Sequence, residues 1–317
     1  MKTVAIPGGR TTSQLGFGCA LLAAGAARRE SLRLLGAALD AGITHFDVAP
    51  SYGFGLAEDV VGEFAQGRRG EITITTKVGL SRPAAPGPLI AARAMLRPLL
   101  GLAPSLRRRL GGAVYRMSVA KARFETAEVE ASLAESLRRL RTERVDLLLL
   151  HELTPADVTD ELRRFTEDAV RSGKAGACGV GSPSQVVAEL DGAAPDLTRI
   201  AQTNWSIGEA ALAARQTLLI THGSLRKLGE LSAWLHADAD RLARLSKDAG
   251  ADLADPAILA ELALSAALAR NPAGVVLVAT RQPVRIAAHA RLAADDDRQR
   301  QAIRLDAALR RERGDAD

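Results

Sequence analysis

Cysteine is nearly missing from this 317-residue chain, which has only Cys19 and Cys178, both within strand-like runs. Two such thiols are more often small core residues than a disulfide or metal pair, and no Cys/His grouping has zinc-site spacing. Both are expected reduced, and no metal is expected. Aromatic residues make up 3% of the chain, and tyrosine occurs only at positions 52 and 115. So few stacking groups argue against nucleic-acid binding, and no binding motif is present. Nothing approaches the roughly 18 uninterrupted apolar residues of a membrane span, and no basic start leads into an apolar core and cleavage site, so the chain reads as cytoplasmic.

What is present is ample core: 47% of the residues are apolar and 25% charged, the composition of a soluble globular protein. The length is that of two domains at about 150 residues each, or of one α/β barrel, which needs about 250. A single domain over residues 1–317 is the preferred reading, with residues 307–317 as a polar, frayed tail. Eight strand-like runs occur at 14–19, 43–48, 72–77, 145–151, 176–181, 199–204, 217–222 and 275–279. Between them lie helical patterns, among them 30–41, 57–64, 128–141, 158–172, 184–190 and 256–270, where Leu or Ala recurs at three- and four-residue spacing. Eight such units predict a (β/α)8 TIM barrel. The rival doubly wound dinucleotide fold needs Gly-x-Gly-x-x-Gly after the first strand, and the run from Gly16 to Gly25 does not match it. Residues 1–13, with Pro7, Gly8 and Gly9 between short β-like runs, predict a hairpin that plugs the barrel bottom. The long stretch between Gly223 and Pro256, containing Trp234 and His236, is expected to be an excursion over the catalytic face.

Three apolar runs end in chemistry: 43–47 in Asp47, 72–77 in Lys77 and 145–151 in His151, and Tyr52 follows Asp47 by five residues. Polar residues at the carboxyl ends of parallel strands line the active site of such folds. Singly, each has an ordinary reading: a buried Asp–Lys pair is often structural, a tyrosine after a strand is often core edge, and a histidine ending a strand is often a satisfied core residue. Together they make a proton-donating site. His45, two residues before Asp47, is assigned to packing.

Charge is unevenly spread. From Leu80 to Phe124 there are eight Arg and one Lys with no Asp or Glu, whereas the whole chain nets +5, so the remainder is mildly acidic. This stretch follows Lys77, so topology places it at the catalytic mouth as a long basic loop after the third strand. Residues 88–97 and 105–110 mix apolar residues with arginine as surface amphipathic helices do. A solvated lid is the first reading; recognition of an anionic or acyl-carrier-type substrate and contact with a membrane surface are the others.

The stretch from Gly42 to Glu58, with Thr75-Thr-Lys77-Val-Gly, Leu147 to His151, Ser132 to Leu140 and Gly173 to Val180, resembles motifs of the aldo-keto reductase superfamily, and the similarity runs from Leu15 to about His289. That resemblance implies an NAD(P)H-dependent oxidoreductase interconverting a carbonyl (aldehyde, ketone or aldose) and an alcohol. It implies Tyr52 as general acid/base, Lys77 and Asp47 as its charged support and His151 beside the substrate oxygen. For the cofactor it implies Thr280, Arg281 and Arg285 at the adenosine 2′-phosphate, a guanidinium favouring NADPH, together with Ser182, Gln202, His222, Gly223, Leu225 and His289. The chain departs from the family where Gly181-Ser182 replaces Ser-Asn, where His222 replaces a stacking tyrosine, and where Ala288 and His289 replace an acidic residue and asparagine. Two other readings stay open: a nucleotide-binding redox sensor or scaffold with weak turnover, and a lyase using Lys77 as Schiff-base nucleophile. Substrate identity and oligomeric state are not fixed by these residues.

Overall fold

The computed structural model describes residues 1–22, 27–83, 124–210 and 216–314. Most of the arginine-rich stretch, including 88–97 and 105–110, lies outside the described residues. The chain opens with the expected hairpin, β1 (Thr3–Ile6) and β2 (Arg10–Ser13), paired antiparallel with Ile6 opposite Arg10. Gly8 and Gly9 turn it with φ of 91° and 80°, a basin open to glycine without steric cost. Eight parallel strands follow: β3 (Leu15–Gly18), β4 (His45–Asp47), β5 (Thr73–Val78), β6 (Val145–His151), β7 (Ala175–Gly181), β8 (Ile200–Asn204), β9 (Leu218–His222) and β10 (Val275–Val278). They pair in chain order, and β10 returns to β3 with Val276 opposite Leu15, closing the barrel. This is the expected (β/α)8 architecture, and all eight strand positions agree with the apolar runs.

The described helices alternate with the strands: α1 (Arg28–Asp40), α2 (Ala57–Ala65), α3 (Thr126–Leu140), α4 (Asp160–Arg171), α5 (Ser184–Ala193), α6 (Leu228–His236), α7 (Ala239–Ala249), α8 (Pro256–Arg270), α9 (Pro283–Leu292) and α10 (Asp296–Arg313). Strand periodicity divides the core in two. Along β6, Leu148 and Leu150 face outward into the layer beneath the helices, whereas Leu147 and Leu149 face inward. The inner cluster includes Ile200, Leu218, Ile220, Val275 and Leu277, and Val4 and Ile6 of the hairpin pack into it. The hairpin therefore plugs the amino-terminal end of the barrel. Arg10 secures it by donating to Asp146 at 2.9 Å and to the Ile72 carbonyl at 3.0 Å. Outside the barrel, α2 meets α3 so closely that a Cβ on Gly62 would lie 2.2 Å from the Arg139 carbonyl oxygen.

His45 packs inside the barrel, as expected, with Nδ1 3.1 Å from Thr73 Oγ1 and Nε2 3.2 Å from Thr75 Oγ1. Burial pushes its imidazole down to about 4, and Lys77 acts the same way against the opposing pull of Asp47 and Asp146. The unfolded chain takes up this proton near pH 6.5 and the folded chain only near 4, so stability falls as pH drops through that window. The drop is expected to be about 3 kcal/mol from this group. Urea unfolding of His45→Gln at pH 7 and pH 4 should show a smaller acid loss than wild type; an unchanged acid slope would refute this assignment.

Two expectations need correction. The stretch after Gly223 is not a polar excursion over the mouth. It folds into α6 and α7, whose apolar Leu231, Leu235 and Leu245 are buried, and these helices pack on the flank against α8 and α10. Only its first residues, Gly223 to Arg226, reach the cleft. Nor is the tail frayed from residue 307: α10 continues to Arg313, with Leu305, Ala308 and Leu309 buried. Asp306 anchors it by accepting from the Gly208 amide at 2.7 Å and from Arg270 Nε at 2.8 Å.

Candidate active site

The register of the sheet brings the strand ends to one rim. Asp47 lies opposite Thr75, Lys77 opposite Leu149 and His151 opposite Gly181. Beyond Asp47 the chain bends through a 3₁₀ turn, Tyr52–Gly55, in which Gly53, Phe54 and Gly55 take φ of 58°, 57° and 86°. This turn carries the Tyr52 phenol back over the barrel mouth.

The four side chains meet. Lys77 Nζ donates to Asp47 Oδ1 at 2.7 Å and Oδ2 at 2.8 Å, to the Val48 carbonyl at 3.3 Å and to Tyr52 Oη at 3.2 Å. Asp47 Oδ2 also accepts from Gln202 Nε2 at 3.0 Å. Lys77 and Asp47 are buried, with 1% and 2% of their side chains exposed, so neither charge is tolerable without the other. Burial by itself lowers the Lys77 ammonium, but the Asp47 carboxylate and Tyr52 outweigh it and hold the group above its ordinary value. The His151 ring stands edge-on to Tyr52 with centroids 6.3 Å apart. Its Nδ1 is buried with no hydrogen-bond partner among the described residues. Burial, then Lys77 and His222, hold this imidazole well below the usual histidine range, which keeps it neutral.

These groups form the floor of a cleft of about 890 Å³ at the carboxyl-terminal rim. Ser182, Gln202, His222, Gly223 and Leu225 line its walls. The Ser182 hydroxyl is already donated to the Leu153 carbonyl at 2.8 Å. Enclosure in the cleft lowers the His222 imidazole, with Asp47 opposing and Lys77 and Arg226 reinforcing the shift. Thr280, Arg281, Arg285 and His289 are placed differently. They follow β10, whose last residues border the cleft, but are not on its described wall. The Thr280 hydroxyl accepts from the Gln282 amide at 3.1 Å just before α9. Arg281 and Arg285 are exposed, and His289 is half-buried with Nδ1 unpartnered among the described residues.

Glu152, Asn204 and Arg226 are among the cleft residues that the sequence does not mark out. Asn204 ends β8, so the strand-end rule that found Lys77 applies to it equally. Glu152 follows His151 with a left-handed φ of 59°, which no local pattern announces. Arg226 gave no sequence signal.

Comparison with known proteins bears on the family and the fold. The profile of the Aldo/keto reductase family matches residues 14–213. The D-threo-aldose 1-dehydrogenase of a Pseudomonas species is 37% identical over 128 residues, 39% of this chain and 34% of that protein, so the match spans about a third of this relative's length. Among solved structures, the holo form of the aldo-keto reductase AKR11C1 from Bacillus halodurans superposes with a TM-score of 0.68 at 22% identity, covering 96% of each chain. An aldo-keto reductase from Klebsiella pneumoniae in complex with NADPH gives 0.62 at 20% identity, covering 93% of this chain and 90% of that one.

Proposed function

The chain belongs to the aldo/keto reductase family, and on that premise we propose that it is an NADPH-dependent oxidoreductase interconverting a small-molecule carbonyl and an alcohol. The observation that carries this reading is the phenol of Tyr52 held 3.2 Å from a buried, charged Lys77 at the floor of the cleft. When bound, a reduced nicotinamide would supply the hydride that the carbonyl carbon takes up. Negative charge then develops on the carbonyl oxygen, and Tyr52 donates its proton there. The Lys77 ammonium stabilises the phenolate left behind, and Asp47, oriented by Gln202, keeps that ammonium charged. His151, neutral in its buried setting, donates an imidazole N–H to the substrate oxygen. The same Asp47 contacts argue against Lys77 as a Schiff-base nucleophile, because a protonated amine has no lone pair to attack with.

The residues present fit a nicotinamide dinucleotide. The cleft is large, His222 offers a flat ring on its wall, and the exposed Arg281 and Arg285 supply cations beyond β10. The NADPH-bound relative from Klebsiella supports the choice of cofactor. Arg285→Ala is expected to weaken NADPH binding about tenfold, the value of one charge-assisted hydrogen bond, while NADH binding changes little. Equal losses for the two would show that Arg285 does not read the 2′-phosphate. The activity is tested by following NADPH consumption by purified protein with a panel of aldehydes, ketones and aldoses. Tight NADPH binding with no turnover across the panel would overturn the enzymatic reading in favour of a nucleotide-binding sensor or scaffold.

A further inference from the structure

One buried carboxylate takes no part in the chemistry above. Glu58, in the first turn of α2, has no exposed surface, and its two oxygens have separate partners. Thr76 Oγ1 donates to Oε1 at 2.7 Å, and the Arg82 guanidinium pairs with Oε2. Arg82 also donates to the Gly55 carbonyl. Strand β5, the turn of Tyr52 and helix α2 therefore meet at this ion pair. Thr76 precedes Lys77 on β5, with its side chain on the opposite face of the strand. Gly55 closes the turn that begins with Tyr52, and Glu58 belongs to the helix that follows. The turn needs an external hold, because Phe54 occupies the left-handed basin, where a side chain crowds its own backbone. Such residues persist where their surroundings over-determine them.

We propose that Glu58 and Arg82 are positioning residues for Tyr52: their ion pair locks the Tyr52–Gly55 turn to the strand bearing Lys77 and so sets the contact between phenol and ammonium. The inference rests on the reading of Tyr52 as the proton donor. Neither side chain lines the cleft, so both act through the turn. Without Arg82 the Gly55 carbonyl loses its donor, and the buried Glu58 carboxylate must take up a proton or admit water. Arg82 is also the first positive charge of the arginine-rich stretch, so the entry to that stretch is fixed to the same turn.

The test uses Glu58→Gln/Arg82→Met, which removes both charges so that no buried ion is left unpaired. It is made in a Tyr115→Phe background, where Tyr52 is the sole tyrosine. A spectrophotometric tyrosinate titration then reads Tyr52 with neither substrate nor cofactor. Its midpoint is expected to move upward by at least about half a pH unit as the phenolate loses the ammonium. In carbonyl reduction, kcat is expected to fall about tenfold to a hundredfold, while KM and the NADPH Kd stay within about twofold. Arg82→Lys keeps the charge but cannot span both acceptors; it covers the case in which the double variant fails to fold, and is expected to move both readouts in the same direction by less. An unmoved midpoint with kcat within about twofold of the parent overturns the proposal and leaves the pair a purely structural one. Tyr52→Phe, assayed in parallel, separates this result from its premise. If that variant turns over like wild type, the assignment of the proton donor falls, whereas the midpoint still reports whether the pair positions the phenol.

Discussion

Tyr52→Phe is expected to lower carbonyl turnover with NADPH by about 10²- to 10⁴-fold, the contribution of a positioned general acid. The substitution removes one oxygen and little else. Lys77 keeps both Asp47 oxygens and the Val48 carbonyl as acceptors, and it lies 4.7 Å from the Tyr52 ring centroid, a contact a phenylalanine retains. The edge-on approach of the ring to His151 is preserved as well. Stability should therefore change by no more than about 1 kcal/mol, the net value of one hydrogen bond, and NADPH affinity should stay near that of wild type. Steady-state NADPH oxidation and a fluorescence titration of the nucleotide measure the two quantities. A Phe variant as fast as wild type would place the proton donor elsewhere.

Lys77→Met should be costly to the fold as well as to turnover. It leaves the Asp47 carboxylate buried with Gln202 as its one remaining side-chain donor among the described residues. Removing one member of a buried pair typically costs about 3–5 kcal/mol, because the other charge is stranded in a poorly polarisable interior. Urea unfolding should show this loss in the single variant. In Lys77→Met/Asp47→Leu, which strands no charge, much of the stability should return while turnover stays absent. Two variants with equal stability would mean that the Asp47–Lys77 attraction contributes nothing to the fold, and with it would go the argument that Asp47 holds the lysine charged.

Much of the architecture was legible because the signals are local. Apolar runs of strand length alternate with helical spacing, and Pro7, Gly8 and Gly9 mark the hairpin turn. Where polarity and apolar spacing point different ways, the spacing decides the structure. The residues after 307 are rich in Arg, yet Leu305, Ala308 and Leu309 recur at three- and four-residue intervals and form the buried face of α10. Leu228, Leu231 and Leu235 carry the same signal in α6, within a stretch read as a polar excursion. The proposed cofactor residues divide along the same line. Gln202 within β8 and His222 at the end of β9 reach the cleft, whereas Thr280, Arg281, Arg285 and His289, taken from a motif rather than a strand, lie beyond its wall.

The sequence by itself determined the strands, their order of appearance and the polar side chain at the end of three of them, since a strand is written in consecutive residues and its carboxyl end is simply where the apolar run stops. Only the tertiary structure decided which charges touch. Asp47 meets Lys77 and Gln202 across 30 and 155 residues of chain, and Glu58 meets Arg82 across 24. Those pairings exist because closing the barrel takes the groups out of water together, and a charge removed from water must find its partner in space, wherever that partner stands in the chain.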